Sequence, residues 1–166
     1  MKRISLTLCL AFLTVLFCQA QVAPLKFNKN GEFKIVQFTD IHFQYHNPAS
    51  AIALKRINEV LDAERPDLIV FTGDVVYAPP ADTAMRAVLD CASSRKIPFV
   101  VTFGNHDNEQ GKTRAELYDI IRSMPYNIQP DRGSVESPDY VLTVKSSDGK
   151  KDASVLYCLD SHLSLI

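Results

Sequence analysis

The sequence IPFVVTF at residues 97–103 runs directly into GNHD at residues 104–107. The first stretch has the continuous apolar character of a buried strand. The second begins with a glycine that lets the backbone turn, and then supplies an amide oxygen, an imidazole and a carboxylate. The two stretches together predict a buried strand that ends at side chains able to bind a metal or a ligand.

Two earlier segments of the chain have the same layout. The strand-like sequence FKIVQF is followed by Asp40 and His42, and the strand-like sequence DLIVF is followed by Asp74. Sites in open α/β sheets form outside the carboxyl ends of the strands, so we expect these side chains to converge with Asn105. If extended geometry persists from Asp40 to His42, both side chains point the same way and can hold one ion. Oxygen and imidazole donors without thiolates suit zinc, manganese or iron.

The segments between these strands have helical spacing. Apolar residues recur at helical intervals over residues 49–63 and again from Met85 to Ala92, and residues 113–116 match a capping box before a third helix. Residues 140–144 and 155–159 are strand-like and flank a turn, which predicts a β-hairpin. The fold class is therefore predicted to be α/β, a βαβαβα parallel sheet with right-handed crossovers followed by a β-hairpin.

The composition fits one globular domain preceded by a targeting segment. The chain has 166 residues, of which 46% are hydrophobic and 22% are charged, and its net charge of −1 gives no nucleic-acid footprint. Residues 1–20 have the basic start and small-residue end of a signal peptide. Their apolar run of about 14 residues is shorter than the roughly 20 that span a bilayer, so we expect cleavage before Gln21 and no stable membrane anchor. The domain at residues 21–166 would then be secreted or periplasmic.

Two cysteines, Cys91 and Cys158, lie in this domain, each in an apolar segment. Buried free thiols are the favoured interpretation, and a disulfide between them in an oxidising compartment stays open.

The ordered set Asp-x-His, Gly-Asp and Gly-Asn-His-Asp resembles the signature of the calcineurin-like metallophosphoesterase superfamily. Its context is similar to the purple-acid-phosphatase-related branch, on the evidence of Pro-Tyr at residues 125–126, Tyr-Val-Leu at residues 140–142 and Leu-Asp-Ser at residues 159–161. The resemblance implies a hydrolase of small-molecule phosphoesters. It also implies two metal ions (manganese, zinc or iron) and a metal-bound hydroxide as the nucleophile.

The same resemblance implies a role for each residue of the motifs. Asp40 and His42 would hold the first metal, Asp74 would bridge both metals, and Asn105 would bind the second. His106 would contact the phosphate and assist the leaving group, a role that suits a protonated imidazole.

Some assignments stay open. Tyr77 occupies the Gly-Asp-x-x-Tyr position at which purple acid phosphatases bind ferric iron, and it competes with His42 for one role; we favour His42. Asp107 either orients His106 or caps the loop. His46 is expected to face solvent.

The resemblance also implies ligands that the sequence does not contain, among them histidines of a later Gly-His-x-His motif. We therefore expect about half of the family's four-layer sandwich, truncated at its C-terminal side, with an exposed sheet face where a second sheet would pack. The alternative function is a catalytically inactive remnant that binds at most one metal.

Overall fold

The computed structural model describes residues 22–160, so the predicted signal peptide at residues 1–20 and its cleavage position lie outside the described residues. Strands β1 (Ile35–Phe38), β2 (Leu68–Thr72) and β3 (Phe99–Thr102) form a parallel sheet in the order β1-β2-β3. Three helices follow these strands in turn: α1 (Ala51–Glu64), α2 (Ala81–Ser93) and α3 (Arg114–Arg122). Strands β4 (Tyr140–Lys145) and β5 (Asp152–Cys158) form an antiparallel pair. The α/β prediction is confirmed.

The parallel strands end level with one another. Phe38 pairs with Phe71 in the first ladder, and Thr72 pairs with Thr102 in the second. The loops that follow the three strands therefore begin at the same edge of the sheet, as the sequence predicts.

The three helices pack on one face of this sheet. Alternate strand residues, Ile69 and Phe71 of β2 and Phe99 of β3, are fully buried in a cluster with side chains of α1, α2 and α3. Helix α3 begins with the predicted capping box. The Thr113 hydroxyl accepts a hydrogen bond from the Glu116 backbone at 3.1 Å, and the Glu116 carboxylate accepts one from the Thr113 backbone at 2.9 Å.

The β4-β5 hairpin covers the opposite face, which the sequence analysis expected to be exposed. Leu68 and Val100 are fully buried there in a cluster with alternate residues of β4. The hydroxyl of Tyr140 donates to the carbonyl oxygen of Val101 at 3.1 Å. That expectation is wrong because period-two alternation in β4 supplies an apolar face to the sheet. The outer face of the hairpin carries exposed apolar side chains, with Val141 52% and Tyr157 72% exposed.

The two cysteines of the domain are free and buried. They belong to different apolar clusters: Cys91 lies in the cluster between the helices and the sheet, and Cys158 lies in the cluster between the hairpin and the sheet. Among the described residues, no helix has the length and apolarity to cross a membrane.

Candidate metal centre

The loops after β1 and β2 are joined by backbone hydrogen bonds. The N–H of Asp40 donates to the carbonyl of Gly73 at 3.1 Å, and that of His42 donates to the carbonyl of Asp74 at 2.8 Å. Asp40, His42 and Asp74 all have left-handed backbone conformations, with φ of 53°, 48° and 51°. The extended geometry considered for Asp40 and His42 is therefore absent. Non-glycine residues in this region are strained, and such strain concentrates at functional sites.

The loops after β2 and β3 approach each other closely through two glycines. A Cβ atom at Gly73 would lie 2.8 Å from Cα of Gly104, and a Cβ atom at Gly104 would overlap Oδ1 of Asp74. That oxygen accepts a hydrogen bond from the backbone of His106 at 2.9 Å. The glycines of both motifs are thus needed to seat the Asp74 carboxylate against the neighbouring loop.

The carboxylate of Asp107 anchors this arrangement. It is fully buried and accepts hydrogen bonds from four backbone N–H groups, those of Asp74, Val75, Val76 and Gly104, at 2.8–3.1 Å. Burial raises the pKa of Asp107, and these hydrogen bonds act in the opposite direction. The geometry supports loop capping, rather than a contact with the His106 ring, as the role of this residue.

Three side chains gather at the sheet edge. One ligand atom from each of His42, Asp74 and His106 lies within 4.8 Å of the other two. Nε2 of His42 lies 3.5 Å from Oδ2 of Asp74, and the rings of His42 and His106 have centroids 5.6 Å apart. Two imidazoles and a nearly buried carboxylate match the donors that zinc, manganese and iron prefer. The described residues thus fit at least one such ion.

The other two predicted ligands occupy exposed positions in the same loops. Asp40 is not in the three-residue group, and its carboxylate accepts a hydrogen bond from the Thr39 hydroxyl at 2.6 Å. Asn105 is exposed and directly precedes His106. The structure therefore brings two predicted ligands, His42 and Asp74, together with the predicted catalytic residue His106.

Tyr77 lies beside both histidines. Its ring centroid is 5.0 Å from that of His42 and 5.1 Å from that of His106, in edge-on contacts, and it is 44% exposed. The competition between Tyr77 and His42 as metal ligands stays open, because both side chains border the cluster. His46 is exposed, as expected.

Glu109 is a neighbour of the cluster that the sequence analysis missed. Its Oε2 atom lies 2.7 Å from Nδ1 of His106, and this hydrogen bond raises the pKa of His106. The two residues are three apart and are joined by a short 3-10 helix at Asp107–Glu109. In such a turn, side chains three apart lie on the same side, so their spacing was a signal for the contact.

Arg114 is a second residue that the sequence analysis missed. Its buried guanidinium donates to both carboxylate oxygens of Asp160, at 2.9 Å and 2.6 Å, and to the carbonyl of Gly104 at 2.9 Å. Asp160, two residues beyond the end of β5, is thereby tied to the loop that carries Asn105 and His106. Arg114 and Asp160 are 46 residues apart, and no local pattern indicates their pairing.

The structure is an α/β domain with a candidate metal site at the carboxyl edge of its parallel sheet. Residues 33–161 match the calcineurin-like phosphoesterase family, and the chain belongs to that family. The predicted superfamily is confirmed, and it is a family of metal-dependent phosphoester hydrolases.

The relatives of the chain include purple-acid-phosphatase-like proteins. It is 37% identical over 123 residues to "Probable inactive purple acid phosphatase 29" of Arabidopsis thaliana, an alignment covering 64% of this chain and 32% of that protein. It is 30% identical over 156 residues to "Phosphatase DCR2" of Saccharomyces cerevisiae, covering 80% of this chain and 27% of that protein. It is 28% identical over 143 residues to "Probable inactive purple acid phosphatase 28" of A. thaliana, covering 76% of this chain and 36% of that protein. The chain thus spans about a third of the length of these relatives.

Proposed function

We propose that this domain hydrolyses small phosphoesters with two cations (manganese, zinc or iron) and with His106 as its proton donor. Asp40 and His42 would hold the first cation, Asp74 would bridge the two, and Asn105 would bind the second. The observation that carries the proposal is the group formed by His42, Asp74 and His106 at the carboxyl edge of the sheet. When bound, such cations polarise phosphoryl oxygens and lower the pKa of a coordinated water.

The geometry of Asp74 supports a role as ligand. Its Oδ1 atom accepts the His106 backbone hydrogen bond at 2.9 Å, which fixes the carboxylate, while Oδ2 is directed to His42 at 3.5 Å. A carboxylate that is 9% exposed and ionised requires a compensating positive charge or hydrogen bonds.

The geometry of His106 supports a role as proton donor. Its Nδ1 is engaged by Glu109, so Nε2 is the ring nitrogen that remains for a substrate. As water adds to phosphorus and the bond to the ester oxygen breaks, Nε2 of the imidazolium gives its proton to the departing oxygen. The raised pKa of His106 favours the imidazolium that this step needs.

A second candidate function is metal binding without turnover. Three similar proteins carry names that begin "Probable inactive", and the described residues present one compact ligand group of three side chains. In that case the domain would bind at most one cation through His42 and Asp74.

The remaining features of the proposal concern the ends of the chain. We propose residues 1–20 as a signal peptide and residues 21–166 as the phosphoesterase domain, secreted or periplasmic after cleavage. Mass spectrometry of the exported protein tests this, because cleavage leaves Gln21 as its first residue.

Titration with Mn²⁺ or Zn²⁺ together with a p-nitrophenyl phosphate assay distinguishes the two functions. Hydrolysis that needs the cation and is lost in both Asp74→Asn and His106→Ala supports the enzyme. Binding of one cation per chain with no hydrolysis supports the second candidate. A chain that binds neither cation and hydrolyses nothing contradicts the enzyme and leaves the inactive remnant without a metal.

A further inference from the structure

Glu109 is placed against His106 by a rigid turn rather than by a flexible surface contact. The backbone N–H of Glu109 donates to the carbonyl of His106 at 3.1 Å, which closes the turn between them. The intervening Asp107 is fully buried and bonded to four backbone N–H groups. Both ends of the 2.7 Å contact between Oε2 and Nδ1 are therefore carried by backbone that the core holds in place.

This contact determines which nitrogen of His106 carries a hydrogen. A carboxylate has only acceptors, so Nδ1 must be the donor and must carry a hydrogen. In the neutral ring, Nε2 then carries the lone pair. In the imidazolium, both ring nitrogens carry a hydrogen, and the one on Nε2 is not held by Glu109. The contact thus leaves Nε2 as the ring nitrogen that is not engaged by Glu109.

We propose that Glu109 is a positioning residue that fixes the Nδ1–H tautomer and the ring orientation of His106, so that Nε2 acts at the cluster. The catalytic part of this inference rests on the proposed function, and the tautomer itself does not. The contrasting interpretation is an ordinary surface ion pair, since the side chains of His106 and Glu109 are 31% and 52% exposed. Such pairs contribute little to stability and leave the ring free to turn.

Glu109 also borders open space. Its side chain lines a cavity of about 410 Å³ together with Asn108, Lys112 and Thr113. His106 itself does not line this cavity. Glu109 lies outside the group formed by His42, Asp74 and His106, so it is not needed as a ligand.

The test is long-range ¹H–¹⁵N NMR of the histidine rings in the ¹⁵N-labelled full chain. It is run with EDTA, at a pH high enough that the rings are neutral, and His106→Gln assigns the signals. We expect His106 to be the Nδ1–H tautomer in the unsubstituted chain and to shift to the Nε2–H form, which free histidine favours, in Glu109→Ala. The matched control is Glu59→Ala, which removes an exposed glutamate with its own i,i+3 ion pair to Arg56. We expect this control to leave the His106 signals unchanged.

Mn²⁺ affinity, measured by calorimetry on the same variants, distinguishes a positioning role of Glu109 from a role as a metal ligand. We expect Glu109→Ala to bind Mn²⁺ within twofold of the unsubstituted chain. An Nε2–H tautomer in the unsubstituted chain, no tautomer change in Glu109→Ala, or a tenfold loss of Mn²⁺ affinity in that variant would each overturn the inference. If the unsubstituted chain binds no Mn²⁺ but shows the expected tautomers, the proposed function fails while the role of Glu109 in orienting the ring stands.

Discussion

Oδ2 of Asp107 accepts a hydrogen bond from the backbone nitrogen of Asp74 at 3.0 Å, across 33 residues of sequence. The same carboxylate accepts hydrogen bonds from Val75, Val76 and Gly104. One buried side chain therefore holds the loop that carries the central ligand against the loop that carries His106. The geometry of the candidate site depends on a residue that does not itself face the cluster.

Replacing Asp107 by alanine is expected to destabilise the fold. Four backbone donors would be left without acceptors, each at a cost of about 1–3 kcal/mol, so the free energy of unfolding should fall by at least about 4 kcal/mol. Urea denaturation, with circular dichroism as the signal, measures this change in the free energy of unfolding. The control is Asp90→Ala, an exposed aspartate of α2, with an expected change below about 0.5 kcal/mol. Equal losses in the two variants would contradict the anchoring role of Asp107.

Replacing Gly104 by alanine is expected to distort the cluster and to push apart the loops after β2 and β3, because the added Cβ atom would also lie 2.5 Å from the backbone nitrogen of Asp74. The new methyl group would overlap Oδ1 of Asp74, and the carboxylate would have to move away from the His106 backbone. We expect Mn²⁺ affinity to fall at least tenfold in calorimetry. Gly133→Ala is the control, because nothing lies within 4 Å of its added Cβ and it bears only the strain of its positive φ, about 1 kcal/mol. Unchanged Mn²⁺ affinity in Gly104→Ala would show that the close approach is dispensable.

The buried pair between Arg114 and Asp160 is expected to join the hairpin to the site. Arg114→Met leaves the Asp160 carboxylate buried without its guanidinium, which costs about 3–5 kcal/mol of unfolding free energy. The double variant with Asp160→Leu should recover most of that loss, because it removes both buried charges. The exposed pair of Lys55 and Glu59 provides the comparison, with an expected coupling of about 0.3–0.5 kcal/mol. Additive losses in the Arg114–Asp160 cycle would show that the two side chains are not coupled.

Sequence patterns were sufficient to predict the strands and helices and the edge of the sheet at which the site lies. The apolar strands, the capping box at Thr113 and the polar residues after each strand are local signals, and each is present where the sequence placed it. The residues around Asp40 and His42 differ, because hydrogen bonds to the loop after β2 impose left-handed conformations that no local pattern encodes.

The contacts that organise the site could be predicted only in part. The role of Asp107 had two equal interpretations, since its four donors come from two loops that meet only in the folded chain. The spacing of His106 and Glu109 was a usable signal. The pairing of Arg114 with Asp160 was not, because it depends on how the hairpin packs against the parallel sheet.

His106 is expected to titrate above the ordinary histidine value of about 6.5. The hydrogen bond to the Glu109 carboxylate favours the imidazolium and raises the pKa, so the ring stays charged to higher pH than a free histidine. ¹³C NMR of the ring as a function of pH, with EDTA present, measures the pKa. Glu109→Ala should lower it and Glu59→Ala should not. An identical titration curve in Glu109→Ala would exclude the carboxylate as the cause.

Calorimetric titration of the full chain with Mn²⁺, compared between the unsubstituted protein and Asp74→Asn, tests the metal centre most directly. Asparagine keeps the shape of the side chain and an oxygen for the His106 backbone, but it removes the charge at the centre of the cluster. We predict an affinity at least tenfold weaker, about 1.4 kcal/mol, in Asp74→Asn and an unchanged affinity in Asp90→Asn. Equal affinity for Mn²⁺ in Asp74→Asn and in the unsubstituted chain would contradict the assignment of this cluster as a metal site.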